Sequence, residues 1–215
     1  NIIKSTGIDI QLMSEEDIIN NYTQNITEII LDENCNRVEN VAWSSLMLFE
    51  DKKSGISFFI NKRDKIKFNA IEDKEFDKSI TKYLPLFYHS LKNVYIFPIS
   101  GKGLWSTLFG FLALDFDKNT VKGITFYKHK ETPGLGGEID KGYVKKRYVN
   151  TKIDLHLGSD NEIISVYMKK SPNQDNPNEI PYMSGATITS DGLNAFIKRD
   201  LERYKPVFEL IKEQY

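Results

Sequence analysis

Two apolar runs separated by three polar residues constrain this chain most. Phe109 to Phe116 and Thr120 to Tyr127 read as strands, and Asp117-Lys118-Asn119 between them is polar turn chemistry, so together they predict an antiparallel hairpin. Val94-Tyr95-Ile96-Phe97 predicts a further strand just ahead of it. Far downstream, Leu193, Phe196, Ile197, Leu201, Tyr204, Phe208 and Ile211 form a stripe that predicts a helix over 190–212 facing a core, with Pro206 kinking it or starting a second helix. Near the N-terminus, Ser14 and Asp17 approximate a capping box, and Ile18, Ile19, Tyr22, Ile26, Ile29 and Ile30 recur at near-helical spacing, which predicts a helix over 14–31. Short strands are expected at 41–49 and 56–60, broken by Asp51-Lys52-Lys53-Ser54-Gly55, and a charged helix over 72–83 ends before Pro85. A last strand at 162–168 runs into the Pro-, Asn- and Asp-rich loop 171–181. A strand-rich centre between terminal helices is the pattern of an α+β fold with an antiparallel sheet. Residues 1–93 divide off as an N-terminal helix with an α+β elaboration, and 94–215 as a domain with a C-terminal helix.

Composition narrows the function classes. The 215 residues, 40% hydrophobic and 27% charged, suffice for a sizeable core in one large domain or two small ones. With 29 Lys+Arg against 30 Asp+Glu the net charge is −1, so no bulk field recruits nucleic acid or anionic lipid. Lys145-Lys146-Arg147 and Lys169-Lys170 are short and read as solvated faces. Cys35 is the single cysteine, and no Cys/His spacing resembles a zinc or iron–sulfur site, so no metal ligands are expected. His89, His129 and His156 are scattered and read as structural or surface residues. The apolar stretch Phe109-Gly110-Phe111-Leu112-Ala113-Leu114 falls far short of the roughly 20 residues of a spanning helix. The first residue is Asn1 rather than Met, from which a removed N-terminal piece, a signal peptide or a membrane anchor, is expected.

Three loops carry chemistry. Ser184-Gly185-Ala186-Thr187-Ile188-Thr189-Ser190 sets a small, unhindered hydroxyl, Thr187, just before a helix read as opening around Ser190-Asp191. The free N–H groups of a helix start attract phosphate, so this is a place to hang a phosphate-bearing group. Equally, Thr189 or Ser190 could simply N-cap the helix while Gly185 makes the turn. Glu131-Thr132-Pro133-Gly134-Leu135-Gly136-Gly137 follows the second hairpin strand; its glycines let backbone approach a flat heterocycle and Leu135 can pack on its face, or it is an ordinary connector. Gly101-Lys102-Gly103 lacks the spacing of a phosphate loop or a dinucleotide fingerprint, but sets Leu104-Trp105 on a glycine loop between strands.

In order along the chain, Gly101-Lys102-Gly103-Leu104-Trp105-Ser106-Thr107, Thr120-Val121-Lys122-Gly123-Ile124-Thr125-Phe126-Tyr127, Glu131-Thr132-Pro133-Gly134-Leu135-Gly136 and Ser184-Gly185-Ala186-Thr187 with Thr189-Ser190 resemble the FMN-binding domain family. Within it they resemble the branch formed by the C subunits of the Na⁺-translocating NADH:quinone reductases, over about residues 94–200; the helix at 14–31, the region 38–93 and the Leu104-Trp105 pair also suit that branch. The resemblance implies FMN joined to Thr187 through a phosphoester, attached from FAD by a separate Mg²⁺-dependent flavin transferase. Ser184, Gly185, Ala186, Thr189, Glu131, Thr132, Gly134, Leu135, Leu104 and Trp105 would then bind the cofactor, and no residue of the chain would act as catalytic base or nucleophile. It further implies partner subunits in a membrane complex, and a single N-terminal membrane helix holding this domain on the periplasmic side of the inner membrane. Pro181 departs from the pattern, since the family often has an acidic residue there. Two other readings stay open: the G subunit of an Rnf-type ferredoxin:NAD⁺ oxidoreductase, and a non-redox binding domain of the cell envelope.

Overall fold

The computed structural model describes residues 1–50, 57–64, 80–153 and 164–208. Helices and antiparallel strands are mixed as an α+β fold requires, with helical residues at both ends of the described chain. The chain divides into two compact units, residues 28–86 and residues 1–27 together with 87–215.

In the larger unit, α1 (Ile2–Ser5) and α2 (Glu15–Asn25) come first. The capping box at the start of α2 forms as expected: the Ser14 hydroxyl accepts the Asp17 N–H at 3.1 Å and the Asp17 carboxylate accepts the Ser14 N–H at 3.2 Å. The helix ends at Asn25, however, and Ile26–Asp32 is a strand, β1. Three of the isoleucines that supply the helical spacing sit in Ile26-Thr27-Glu28-Ile29-Ile30-Leu31, where a β-branched run favours the extended chain over the helix.

The smaller unit contains β2 (Leu46–Glu50) and β3 (Ser57–Asn61), paired antiparallel from Leu46↔Asn61 to Glu50↔Ser57. Neighbouring residues of β3 face opposite ways: Phe59 joins Ile30 and Leu46 in one cluster, against which Trp43 packs, while Phe58 and Ile60 join Ile80 in another. Trp43–Ser45, within the segment expected to be strand, is a turn of 3-10 helix. Of the helix expected over 72–83, residues 72–79 lie outside the described residues, while Ile80, Thr81 and Lys82 are not helical and Tyr83 opens strand β4, Tyr83–His89.

The body of the larger unit is β5 (Val94–Lys102), β6 (Thr107–Asp115) and β7 (Val121–Lys128), antiparallel neighbours in that order. The β6–β7 hairpin is the one the sequence predicts. Asp117 closes its turn, accepting the N–H groups of Asn119 at 2.9 Å and Thr120 at 2.8 Å. After a 3-10 turn (Gly136–Asp140) come α3 (Gly142–Tyr148), the short strands β8 (Tyr167–Lys169) and β9 (Glu179–Pro181), and α4 (Thr187–Arg203). A turn at Tyr204 separates α4 from helical residues 205–208, so Pro206 stands in a second helical segment. Of the strand expected over 162–168, residues 162–163 lie outside the described residues, and of the rest only Tyr167 and Met168 lie in β8.

Helix α4 lies against β5. Phe97 stacks edge-on with Tyr204 and Phe208, with centroids 5.0 and 5.1 Å away. Contact is so close at Gly192 that an added Cβ would collide with the Lys102 carbonyl oxygen. The β4–β5 pairing runs only as far as Ile96, which leaves the rest of that edge of β5 without a strand among the described residues. The buried Asp200 takes the strand's place, accepting the Ser100 N–H at 2.7 Å, while Arg199 donates to the Ser100 carbonyl and to Asp200. This docking fixes where the start of α4 falls: beside the C-terminal end of β5.

Candidate functional site

In an antiparallel sheet, the end of β5, the start of β6 and the end of β7 share one edge, and the start of α4 is brought to the same place. The 103–106 loop is a tight turn closed by Gly103 N–H to the Ser106 carbonyl at 2.8 Å. The segment after β7 enters beneath it with Glu131, which is buried. One Glu131 carboxylate oxygen accepts the N–H groups of Trp105 at 2.9 Å and Ser106 at 3.0 Å. The other accepts the Leu104 N–H at 3.1 Å and the Thr189 hydroxyl at 2.8 Å. One side chain thus ties the β5–β6 loop, the glycine loop and helix α4 together. Burial pushes the Glu131 carboxyl up, but the donors from Trp105, Thr189, Leu104 and Ser106 outweigh it and hold the pKa below the usual value. The packing here leaves no spare space: a Cβ at Gly136 would meet the Thr189 hydroxyl at 2.5 Å and the Glu131 carboxylate at 2.8 Å.

Helix α4 starts earlier than the sequence suggests. Its first residue is Thr187 and its N-cap is Ala186, with no side-chain cap. Thr189 and Ser190 are therefore inside the first turn and buried, rather than capping it. Four successive positions from 187 carry a hydroxyl or a β-branch, and Ala186, which has no capping group, gives no signal for the boundary. The first N–H groups of the helix, at Thr187, Ile188 and Thr189, have no intrahelical acceptor, and no acidic residue stands in the first turn. Thr187 is exposed, as are Ser184 and Gly185; Gly185 takes φ +69°, the left-handed turn that glycine permits. The loop is pinned from behind by Arg147 of α3, which donates to the carbonyls of Pro181 at 3.1 Å and Tyr182 at 3.0 Å. Tyr182 donates in turn to Asp191 of α4.

The other expected site residues gather around this helix start. Thr132 and Gly134 are exposed, and the Thr132 carbonyl accepts the N–H groups of Leu135 at 3.1 Å and Gly137 at 2.9 Å. Leu135 reaches the Ser184–Thr187 loop, for a Cβ at Gly185 would touch its side chain at 2.8 Å. Four apolar side chains nearby face solvent: Trp105 is 69% exposed, Ile188 58%, and Leu104 and Leu135 43% each. Glu131 accepts from the Thr189 hydroxyl, from backbone N–H groups and, at 3.3 Å, from the Ser106 hydroxyl. Two residues that hold the site, Ser106 and Arg147, are not among the expected site residues, although Ser106 lies in the Gly101–Thr107 motif. Ser106 accepts the Lys130 N–H at 2.7 Å, and Arg147 lies in a basic run that reads as solvated surface. Only their long-range partners reveal them.

Bare N–H donors with no competing carboxylate suit a phosphate, the exposed Thr187 hydroxyl suits a phosphoester, and the exposed apolar side chains suit the faces of a flat ring system. The donor set therefore fits FMN. Among the described residues, no helix is long and apolar enough to cross a membrane.

Residues 103–202 match the FMN-binding domain family. The chain is 41% identical over 105 residues to the C subunit of the Na(+)-translocating NADH-quinone reductase of Yersinia pestis, a match covering 48% of this chain and 38% of that protein. It is 39% identical over 103 residues to the subunit of the same name from Pasteurella multocida (strain Pm70), with the same coverage of 48% and 38%. The matched stretch thus spans well under half the length of these curated relatives. Among solved structures, the C subunit of the Parabacteroides distasonis reductase superposes with a TM-score of 0.67 at 25% identity, covering 94% of this chain and 86% of that one. Shewanella oneidensis NqrC gives a TM-score of 0.69 at 16% identity over 99% of this chain and 95% of that one, a likeness of fold.

Proposed function

We propose that this chain, whose residues 103–202 form a domain of the FMN-binding family, is the electron-transferring C subunit of a Na⁺-translocating NADH:quinone reductase and carries its flavin on Thr187. The observation that carries this reading is the exposed Thr187 hydroxyl at the uncapped start of α4, beside the exposed Trp105 and Leu135. When bound, FMN supplies the redox chemistry. The chain's own residues attach and position it. The Thr187 oxygen holds the phosphate as a phosphoester, and the first N–H groups of α4 neutralise the charge of that phosphate. Ser184, Gly185 and Ala186 keep the approach to Thr187 open. Leu104, Trp105 and Leu135 flank the ring, with the backbone of Thr132 and Gly134 in reach of its polar edge. Glu131 and Thr189 serve the site from behind by holding those loops. No side chain is needed as a base or nucleophile in turnover.

A separate flavin transferase makes the attachment. The other subunits of the membrane complex dock on the exposed apolar side chains around Thr187, since exposed apolar patches mark interaction sites. The domain sits on the periplasmic side of the inner membrane, joined to an N-terminal membrane helix, and residues 94–215 carry the flavin while 1–93 elaborate the fold.

Co-expression with a flavin transferase tests the attachment. The parent chain is expected to show flavin fluorescence on a denaturing gel and Thr187→Ala none, with the variant still folded because Thr187 lies outside the core. Fluorescence retained by Thr187→Ala would move the attachment elsewhere, to Ser184 first as the other exposed hydroxyl of the loop. Its absence from the parent chain would remove the covalent reading altogether.

A further inference from the structure

We propose that Glu131 is a positioning residue: its carboxylate fixes the Gly103–Ser106 loop to the start of α4, so that Leu104 and Trp105 are held at a set place relative to Thr187. The inference rests on the flavin reading above for its effect on the cofactor, but the positioning itself is a property of this chain alone.

The geometry leaves little alternative. Two carboxylate oxygens accept five hydrogen bonds, three of them from the consecutive N–H groups of Leu104, Trp105 and Ser106 and one, at 3.3 Å, from the Ser106 hydroxyl. The fifth donor is the hydroxyl of Thr189, two residues after Thr187 on the same helix turn. Consecutive N–H groups converging on one anion form the kind of concavity that more often receives an external ligand, and here the chain fills it with its own side chain. The consequence shows at the surface. Trp105 is 69% exposed and Leu104 43%, so these side chains have little packing of their own to fix them, and their place is set through the backbone that Glu131 grips. The same side chain touches the underside of the glycine loop, where a Cβ at Gly136 would meet its carboxylate at 2.8 Å. A neutral glutamine of the same shape cannot substitute. Its amide NH₂ would face either the Leu104 N–H or the N–H pair of Trp105 and Ser106, setting donor against donor. Thr189 could turn its hydroxyl to accept instead; a backbone N–H cannot.

The test uses the whole chain, with and without flavin. In the flavin-free protein, Glu131→Gln is expected to speed amide hydrogen exchange at Leu104, Trp105 and Ser106 roughly tenfold or more, while β5–β6 amides keep their protection, because buried bonds to a charged acceptor are lost locally. Thr189→Val, which removes one donor and keeps the three backbone N–H groups and the Ser106 hydroxyl, is expected to give a smaller change in the same direction. In flavin-loaded protein, Glu131→Gln is expected to keep covalent FMN by mass yet shift the flavin absorbance and midpoint potential from those of the parent. Parent-like exchange at 104–106, or a loaded variant with parent absorbance and potential, would overturn the proposal. Should Glu131→Gln fail to fold, the parent decides. The Leu104, Trp105, Ser106 and Thr189 amide signals should titrate together at one acidic midpoint, and independent or absent titration would sink the idea. A parent chain that never gains FMN would count against the flavin reading, and the exchange result would still decide whether Glu131 positions the loop.

Discussion

Glu131 and His89 are both buried and titratable, yet burial has opposite consequences for them because their surroundings differ. Glu131 meets five donors, so its carboxylate is stabilised in the folded state and its pKa falls below the ordinary value. Its contribution to stability is therefore present above the ordinary carboxylate pKa of about 4.3 and is lost as pH drops through the lowered value. His89 is fully buried, and neither ring nitrogen has a hydrogen-bond partner in another of the described residues. Burial first, and then the charge of Lys92, lowers its pKa and keeps the ring neutral. A proton taken up by the unfolded chain but refused by the folded one makes folding weaken as pH falls through the ordinary histidine range near about 6.5. Denaturant unfolding is accordingly expected to show stability declining from about pH 7 to about pH 5 in the parent, with a flatter profile in His89→Leu. An identical slope in both proteins would show that His89 does not titrate on unfolding. Residue type alone marks neither group. In the sequence Glu131 stands out only as part of a glycine loop and His89 only as one of three scattered histidines, because what decides their behaviour comes from residues up to 58 positions away.

At the scale of elements, the docking of α4 on β5 sets the site, and Gly192 is where it is closest. A Cβ driven into a backbone carbonyl cannot be relieved by a side-chain rotation, so Gly192→Ala is expected to destabilise the protein by about 1–3 kcal/mol. Gly142→Ala in α3, where an added Cβ meets nothing within 4 Å, should be neutral or mildly stabilising. Thermal unfolding of the two variants checks the contrast, and equal midpoints would mean that α4 does not lie where described. The elements are legible where local chemistry and tertiary packing agree. The β6–β7 hairpin is such a case, its turn written in Asp117-Lys118-Asn119, and so are the stripe of α4 and the capping box of α2. Sequence misleads where two periodicities coincide or a boundary carries no marker. Isoleucines at helical spacing in β1 also suit a strand, and α4 begins after an alanine that caps nothing. The convergence of three loops on one carboxylate follows from sheet topology, which periodicity does not encode.

At the scale of the whole molecule, the chain combines a match of residues 103–202 to the FMN-binding domain family, a fold shared with the solved C-subunit structures, and an uncapped helix start with no acidic residue in its first turn. With a net charge of −1 the chain offers no broad field, so the proposed docking of partner subunits relies on local features, chief among them the exposed apolar side chains beside Thr187. Everything proposed about electron transfer depends on one bond, between the Thr187 oxygen and the flavin phosphate. Transfer from FAD would form that bond, break the pyrophosphate and release AMP, leaving the chain heavier by one FMN less one water. The most direct measurement is the intact mass of the protein after co-expression with a flavin transferase, followed by fragmentation of the peptide that contains Thr187. The expected result is a single such addition, located on Thr187 and absent from Thr187→Ala. A bare mass for the parent chain, or the same addition on a different residue, would contradict it.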